Sequence, residues 1–478
     1  MRKIFKWGTL LAGLLAVGCG SDESFDFSQF QNATQPPVAV NDTFAVLGNG
    51  QLTGSVTAND TVNGAAVVQF QNPGTAGGTV QISANGQLTY TPPAGQSNLV
   101  DTFTYTLTNA VGSSTATVTV NIGARGFFVN NQAVGVETGS QQQPFNTLAE
   151  AVAAAAGVDG AQIVLFRGDG TTTGLNTPVA LGTNQGLSSL DPASPANITG
   201  PITLSNGNTV AHVRIQGTAG DALSGVNSVG GTLTGLTIDG PTGSACSLVN
   251  ATGTFSASNC TLSNVANHGF IASADSTSLV WSVSGCSFSN VAQQAVFCNV
   301  TNTAAHNLTT SHCNYTGTGL QFCVVVANTI GTNVGLTMTN NTVNAGGNAS
   351  RGLSVGLSGT SNFLGLISTN NITGCNFEGM QVAVGDNATA RLRFTNNRIL
   401  GNLANRGLVV AHIGAGVPNT GCIFNGNTSD AFVLLQNSLG VFSVEQFAQF
   451  NGASGNTGTV LTGGGTITDV AGGSLGIP

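Results

Sequence analysis

Thirteen carboxylates lie between Arg125 and Pro478 of this 478-residue chain, and no two of them are adjacent or alternate along one run. Spacing of this kind bears directly on chemistry. Glycosidic hydrolysis uses a pair of acids, one kept protonated for the leaving group. Stacked segments would have to assemble such a pair from separate stretches, as with Asp221 and Asp239. β-Elimination would need a Lys or Arg base beside acids that hold Ca²⁺, and the chain has no Lys after Lys6. His212, His268, His306, His312 and His412 are scattered, with no HExxH and no acid at a motif spacing, so they read as turn or surface residues. The nine cysteines contain no CxxC, which leaves no zinc signature.

One charge pattern does stand out. Arg351, Glu378, Arg406 and Asp430 each precede a small residue followed by an apolar one, as in Gly352-Leu353, Gly379-Met380 and Gly407-Leu408. Alternating signs in one column would form an ion-pair ladder along a turn. The sharper reading makes the four residues a binding patch for a glycan or a partner protein, with Arg391 and Arg393 extending it.

The column needs repeating elements to position it, and the sequence has them. One phrase recurs as Asn259-Cys260-Thr261-Leu262, Gly285-Cys286-Ser287-Phe288, His312-Cys313-Asn314-Tyr315, Asn340-Asn341-Thr342-Val343, Asn370-Asn371-Ile372 and Asn396-Asn397-Arg398-Ile399. A period in the twenties, with short strands and no helices between them, points to coils stacked in parallel. Equivalent residues then form ladders, and Cys260–Cys286–Cys313 is expected to pass into Asn341–Asn371–Asn397. At roughly 25 residues per coil the stack has at most about 14 coils. Ahead of it, Thr147 and Glu150 make a capping box for a helix that ends at Gly157, flanked by strands at Gly126–Asn130 and Gln162–Phe166. That order resembles the amino-terminal cap of right-handed parallel β-helices of the pectin-lyase-like class, where a helix covers the open end of the stack. Residues 123–478 are therefore assigned to a right-handed parallel β-helix.

Residues 38–122 read differently. Short alternating runs such as Thr102–Leu107 and Thr115–Val120, with a turn at Asn85-Gly86, predict about seven antiparallel strands in an immunoglobulin-like β-sandwich. Val56-Thr57-Ala58-Asn59-Asp60, Asn85–Pro92 and Asp101–Tyr105 resemble the bacterial cadherin-like repeats of surface adhesins. Relatives often bind Ca²⁺ after the Asn-Asp pair, but the equivalent run here carries the single acid Asp60. Asp42, Asp60 and Asp101 are the candidate ligands, against a reading as turn-capping carboxylates; the expectation is of no cofactor, with Ca²⁺ as the exception to test.

Residues 1–18 have a basic start, an apolar stretch from Gly8 to Val17 and then Gly18-Cys19, the layout of a secretory signal. Leu15–Cys19 resembles a bacterial lipobox, in which Cys19 is acylated and becomes the mature amino terminus. The family has Leu three residues before the Cys, whereas Leu15 is four before, so an ordinary signal peptide is the alternative. Gly20 after the Cys implies, by the same resemblance, an outer-membrane lipoprotein, exposed on the surface or facing the periplasm. Residues 19–37 read as a tether ending in Pro36-Pro37.

Composition closes off other classes. Only 6% of residues are charged; beyond residue 18 there are 8 Arg and 19 acids, a balance of 8 − 19 = −11. A lysine-free acidic body has no electrostatic footprint for nucleic acid, and 41% hydrophobic content argues against disorder. Eight cysteines remain after Cys19; Cys298 and Cys323, about one coil apart, are the best disulfide pair, with buried free thiols the favoured alternative. The reading is of a noncatalytic envelope protein, anchored to the outer membrane by lipid, with the β-helix as spacer or binding surface for a polysaccharide or surface protein. The alternative is a polysaccharide lyase or glycoside hydrolase of the β-helix class.

Overall fold

The computed structural model of the chain describes residues 35–478, apart from 276, 303–304, 318–320, 329–331, 347–350, 403–405, 415, 437–439, 446–455, 465–466, 472–473 and 476. Strands account for 56% of it and one short helix for 2%, so the fold is all-β. Two compact units form. One holds residues 35–46, Gln51–Pro93 and Leu99–Ile122; the other holds Leu47–Gly50, Ala94–Asn98 and the described residues of Gly123–Pro478.

The first unit is a seven-stranded sandwich. Leu52–Ser55, Gln87–Thr91 and Thr79–Ile82 make an antiparallel sheet of three. Ala66–Phe70 pairs antiparallel with Leu99–Thr108, which pairs in turn with Ser113–Val129, and Asp42–Gly48 joins that last strand. Alternation sets the facing: Phe103, Tyr105 and Leu107 point inward while Thr104 between them is exposed. They meet Val80, Leu88 and Tyr90 of the other sheet in one core.

Two acids are built into that core. Burial by itself would raise the Asp101 carboxyl, but the Ala76 amide, the Tyr90 hydroxyl and the Gly78 amide hold it below the ordinary carboxylate value. They donate at 2.6, 2.8 and 3.0 Å, which ties the Thr75–Gly78 turn to the sheet. Gly78 permits the approach, because a Cβ there would sit 2.1 Å from the Tyr90 hydroxyl. Asp42 is treated oppositely: burial and then the neighbouring charge of Asp60 raise its carboxyl to about 6.

The second unit is a parallel β-helix of about 10 turns. Each coil lays down three strands, one on each of three faces. The coil Thr252–Ser258, Thr261–Val265, Phe270–Asp275 is followed by Ser278–Ser284, Ser287–Val291, Gln294–Thr301, and every strand pairs in parallel with its counterpart. The long strands in first place are called face 1 below, the short second strands face 2 and the third strands face 3. The count lies under the ceiling of about 14, because coils reach 30 residues and the residues before Gly186 are spent on the cap and its loops. That cap is the helix Leu148–Ala155, with the reciprocal Thr147–Glu150 box in place. Its Leu148, Ala151 and Ala155 enter the solenoid core. Strand Gln162–Leu165 then pairs with Gly126–Val129 on one side and Gly186–Ser189 on the other, leaving the first rung covered.

The recurring phrase marks the corner between faces 1 and 2. Its first residue takes a left-handed backbone: Asn259, Gly285, His312, Asn340, Thr369 and Asn396 all have φ between +53° and +60°. Asn and Gly suit that conformation, which explains their recurrence. The next residue turns inward to form the ladder, Cys260–Cys286–Cys313–Asn341–Asn370–Asn397–Asn427–Asn456, buried throughout. This corrects the expected member Asn371. The pairing Val343↔Ile372 places Asn371 beside Thr342, and Asn370 is the ladder residue because Thr369, not Asn370, takes the left-handed turn. Within the ladder each Asn accepts from the one before it: Asn397 Oδ1 takes the Asn370 main-chain N–H at 3.1 Å and its side-chain amide at 2.9 Å. The Asn397 side-chain amide gives its hydrogens to the Ile367 carbonyl and to Asn427 Oδ1. The valences of these buried amides are filled by one another and by the backbone, with no ion pair needed.

The eight described cysteines are free and buried. Cys298 and Cys323 do not stack: Cys323 pairs with Val296 and Cys298 with Val325, two positions along the strand. His212 and His312 occupy left-handed turns, as expected of turn residues, but His306 and His412 are buried at 2% and 0% exposure. Both lie on strands in positions where alternation points them inward, and burial lowers each imidazole to about 4.

Candidate functional site

Arg351, Glu378, Arg406 and Asp430 lie in one column at the corner where each coil enters face 3. The pairings Leu353↔Met380, Met380↔Leu408 and Leu408↔Phe432 put the residue two places earlier in register each time. The column is longer than four residues. Gln294 pairs with Gln321 and Gln321 with Arg351, while His268, Ser244 and Asp221 stand at the same offset before Phe270, Cys246 and Leu223. Sequence reasoning aligned only the four later charges and so missed the earlier members, Asp221 among them; their shared signal is the offset of two from an inward apolar residue. On two coils the intervening glycine is required by packing, although Phe322 fills that place after Gln321. A Cβ on Gly352 would lie 2.6 Å from Ile372 Cγ2, and one on Gly379 would lie 2.2 Å from Ile399 Cγ2.

Three of the four charges meet. Arg351 Nε donates to Glu378 Oε2 at 2.8 Å, and Arg406 Nη1 stands 3.8 Å from Glu378 Oε1. The Glu378 side chain is 9% exposed, whereas that of Arg406 is 55% exposed. Asp430 leaves the ladder: its carboxylate accepts from the Gly401 and Asn402 amides at 3.2 and 2.9 Å, capping a turn. Backbone donors one coil away reach both of its oxygens. In its place the structure supplies Phe377, 53% exposed, with the Arg351 guanidinium 5.5 Å from the ring centroid. Phe377 escaped the sequence reading because nothing in its spacing distinguishes it from a core residue.

The cluster sets a guanidinium, a carboxylate and an exposed ring side by side. Glu378 is engaged by one guanidinium and approached by a second, so its carboxylate oxygens are turned to the arginines. The guanidinium beside an aromatic face suits a carboxylate, a sugar face or a planar polar group. Arg391 and Arg393 do not extend the patch. They lie on face 1, where they donate to the carbonyls of Leu475 and Ile477.

The other candidates can be placed as well. Asp239 lies on face 2, and the Ser263 hydroxyl and Asn264 amide hold its carboxyl below the ordinary range, opposite to the shift a general acid needs. Asp221 accepts from the Ser244 amide at 2.6 Å. In the first unit, five donors already occupy the Asp101 oxygens, so that residue does not fit a calcium site. Asp42 and Asp60 are brought together beside Tyr105. Among the described residues no group of three or more His, Cys, Asp or Glu is placed to hold a metal ion. Cys19 and the rest of the amino-terminal segment lie outside the described residues.

Residues 34–124 match the bacterial cadherin-like domain family, which covers the first unit. No curated protein matches the chain. Among solved structures the chain is similar to the GH136 lacto-N-biosidase from Eubacterium ramulus, at 9% identity, over 72% of this chain and 68% of that one, with a TM-score of 0.23.

Proposed function

We propose that this chain is a noncatalytic, lipid-anchored cell-envelope protein whose β-helix serves as a spacer and presents the Arg351–Phe377–Glu378–Arg406 patch to a glycan or surface-protein partner. The observation that carries the reading is the exposed Phe377 ring beneath the Arg351 guanidinium, which is itself oriented by Glu378. An exposed aromatic held beside an ordered cation is a recognition device; its one carboxylate is committed to the arginines. Anchoring rests on Cys19 and the lipobox-like residues before it, and the outer membrane on Gly20.

Binding to an array of acidic and neutral glycans, with purified envelope proteins as a second panel, tests the reading. Phe377→Ala and Arg351→Ala should each lower binding at least tenfold while the protein melts cooperatively. Release of reducing ends from an acidic polysaccharide, abolished by Asp221→Ala or Asp239→Ala, would overturn the noncatalytic assignment. Replacing Cys19 with Ser should release the protein from the membrane fraction; retention there would remove the lipid anchor from the proposal.

A further inference from the structure

A second surface, beside the cap of the solenoid, has its own chemistry. Strand Gln162–Leu165 runs through Phe166 into the turn Arg167-Gly168-Asp169-Gly170, where both charged residues are exposed. The Gly170 N–H closes the turn on the Arg167 carbonyl at 3.1 Å, and Gly168 and Gly170 have φ of +59° and +80°. A side chain on Gly168 would run into Asn131 Oδ1, so only glycine fits at the centre of the tripeptide. The two opposite charges are drawn to different neighbours. Arg167 Nη1 donates to the Ser194 hydroxyl at 3.2 Å, in the loop after the next strand of the stack, Gly186–Ser189. Asp169 Oδ1 accepts the Asn131 side-chain amide at 2.6 Å, just beyond the preceding strand, which ends at Val129. The same oxygen takes the Thr171 N–H and hydroxyl, each at 2.8 Å. The Thr171 amide and then the Asn131 side chain hold this carboxyl below the ordinary carboxylate value, so it stays charged. Oδ2 receives none of these donors, and neither residue joins an ion pair among the described residues.

Apolar surface adjoins the turn. Val134 and Val136, 92% and 70% exposed, are the two most exposed large apolar side chains described. With Phe166, Pro144 and three glutamines, Gln141, Gln142 and Gln143, they line a groove of about 510 Å³. Exposed aliphatic side chains beside fixed polar groups mark a protein-docking surface. The polar groups define the partner. Arg167 commits one nitrogen to Ser194, and the rest of its fork suits a carboxylate. Asp169 offers the single oxygen Oδ2; a guanidinium fork takes two oxygens, whereas a metal ion takes one. We propose that this surface docks a protein receptor that holds a divalent cation beside an acidic pocket. Asp169 Oδ2 completes the shell of the receptor's cation, Arg167 enters the acidic pocket, and Val134 and Val136 pack against its rim. Adhesion receptors of the integrin class have this chemistry and take the tripeptide Arg-Gly-Asp, so they supply the probe. The surface shares no residue with the Arg351–Phe377 patch, and either can fail without the other.

The test uses the full-length chain and the immobilised ectodomain of an Arg-Gly-Asp-binding integrin in buffer containing Mn²⁺. The unaltered chain should bind saturably, and the peptide Gly-Arg-Gly-Asp-Ser should displace it where Gly-Arg-Gly-Glu-Ser does not. Asp169→Glu and Arg167→Ala should each weaken binding at least tenfold while the protein still melts cooperatively. Val134→Ser combined with Val136→Ser should weaken it about tenfold. EDTA should abolish binding, and excess Mn²⁺ should restore it. Failure of the folded chain to bind, binding that survives EDTA, or binding indifferent to Asp169→Glu overturns the proposal. So does an unchanged affinity in the valine double variant.

Discussion

Asn370 Oδ1 accepts both the main-chain N–H of Asn341, at 3.1 Å, and its side-chain amide, at 2.9 Å. The same two bonds recur from Asn370 to Asn397, from Asn397 to Asn427 and from Asn427 to Asn456. The corner of the β-helix is therefore held by a chain of amides whose members each depend on the next. Asn397→Ala should destabilise the second unit by about 3 kcal/mol, because it removes the acceptor of both the buried Asn370 main-chain N–H and its side-chain amide. Asn397→Cys should cost less, since Cys286 Sγ already accepts the Cys260 N–H at this position upstream. Urea unfolding read by far-ultraviolet dichroism checks both.

Thr369 is the one β-branched residue in the left-handed turns of that corner, at φ +57°. Thr369→Asn should stabilise the protein by about 1 kcal/mol, because the Cβ penalty of that conformation is smallest for Gly and Asn. An unchanged or lowered unfolding midpoint would show that the Thr side chain compensates locally.

Asp42 makes the first unit pH-sensitive. Its folded value of about 6 lies above the ordinary 3.8, so the folded state binds the proton more tightly than the unfolded chain. Its contribution is most favourable below pH 3.8 and is lost as pH rises toward about 6. Asp42→Asn should therefore raise stability at pH 7, by about 1–2 kcal/mol, and flatten the profile between pH 4 and pH 6. Unfolding midpoints measured across that window decide it.

The cysteines should be inert. Burial pushes the Cys298 thiol up to about 12, and Cys246 likewise, with the Asp221 charge adding to the shift; the Cys286 side chain holds Cys260 below the ordinary thiol value, so Cys260 is protected by its burial alone. At pH 8 a thiol reagent should label none of the eight until the chain is unfolded, and then all of them, since none is bridged. Recovery of a Cys298–Cys323 peptide in a nonreducing digest would contradict the register.

Glu378→Gln separates the two roles of its corner. Glu378 is buried and Arg351 only partly exposed, so stability should fall by about 1–2 kcal/mol. Binding at the patch should fall further, because the amide no longer fixes the guanidinium over Phe377. Equal, small losses in both would reduce the cluster to a structural ion pair.

Much of this was readable before any coordinates. The alternation in Thr102–Leu107 dictates which side chains face the sandwich core, because a strand has only two sides. The Thr147–Glu150 spacing dictates the start of the cap helix, and the repeating Asn and Gly mark the left-handed corners of the coils. Each of these is a local rule, satisfied within a few residues. Which Asn of the Asn370-Asn371 pair enters the ladder is not local; it follows from the pairing of Ile372 with Val343 on the preceding coil.

The charges divide along the same line. That Arg351, Glu378 and Arg406 share a column follows from the repeat, whose period places them one coil apart. That Asp430 turns to the Asn402 amide, that Phe377 remains outside beneath Arg351, and that Arg391 and Arg393 grip Leu475 and Ile477 are decided by tertiary structure alone. The sequence specifies the rung on which a side chain stands, because hydrogen-bonded stacking makes rungs equivalent. Its partner is chosen by which groups come within bonding distance once the coils close, and those come from residues 24 to 84 positions away.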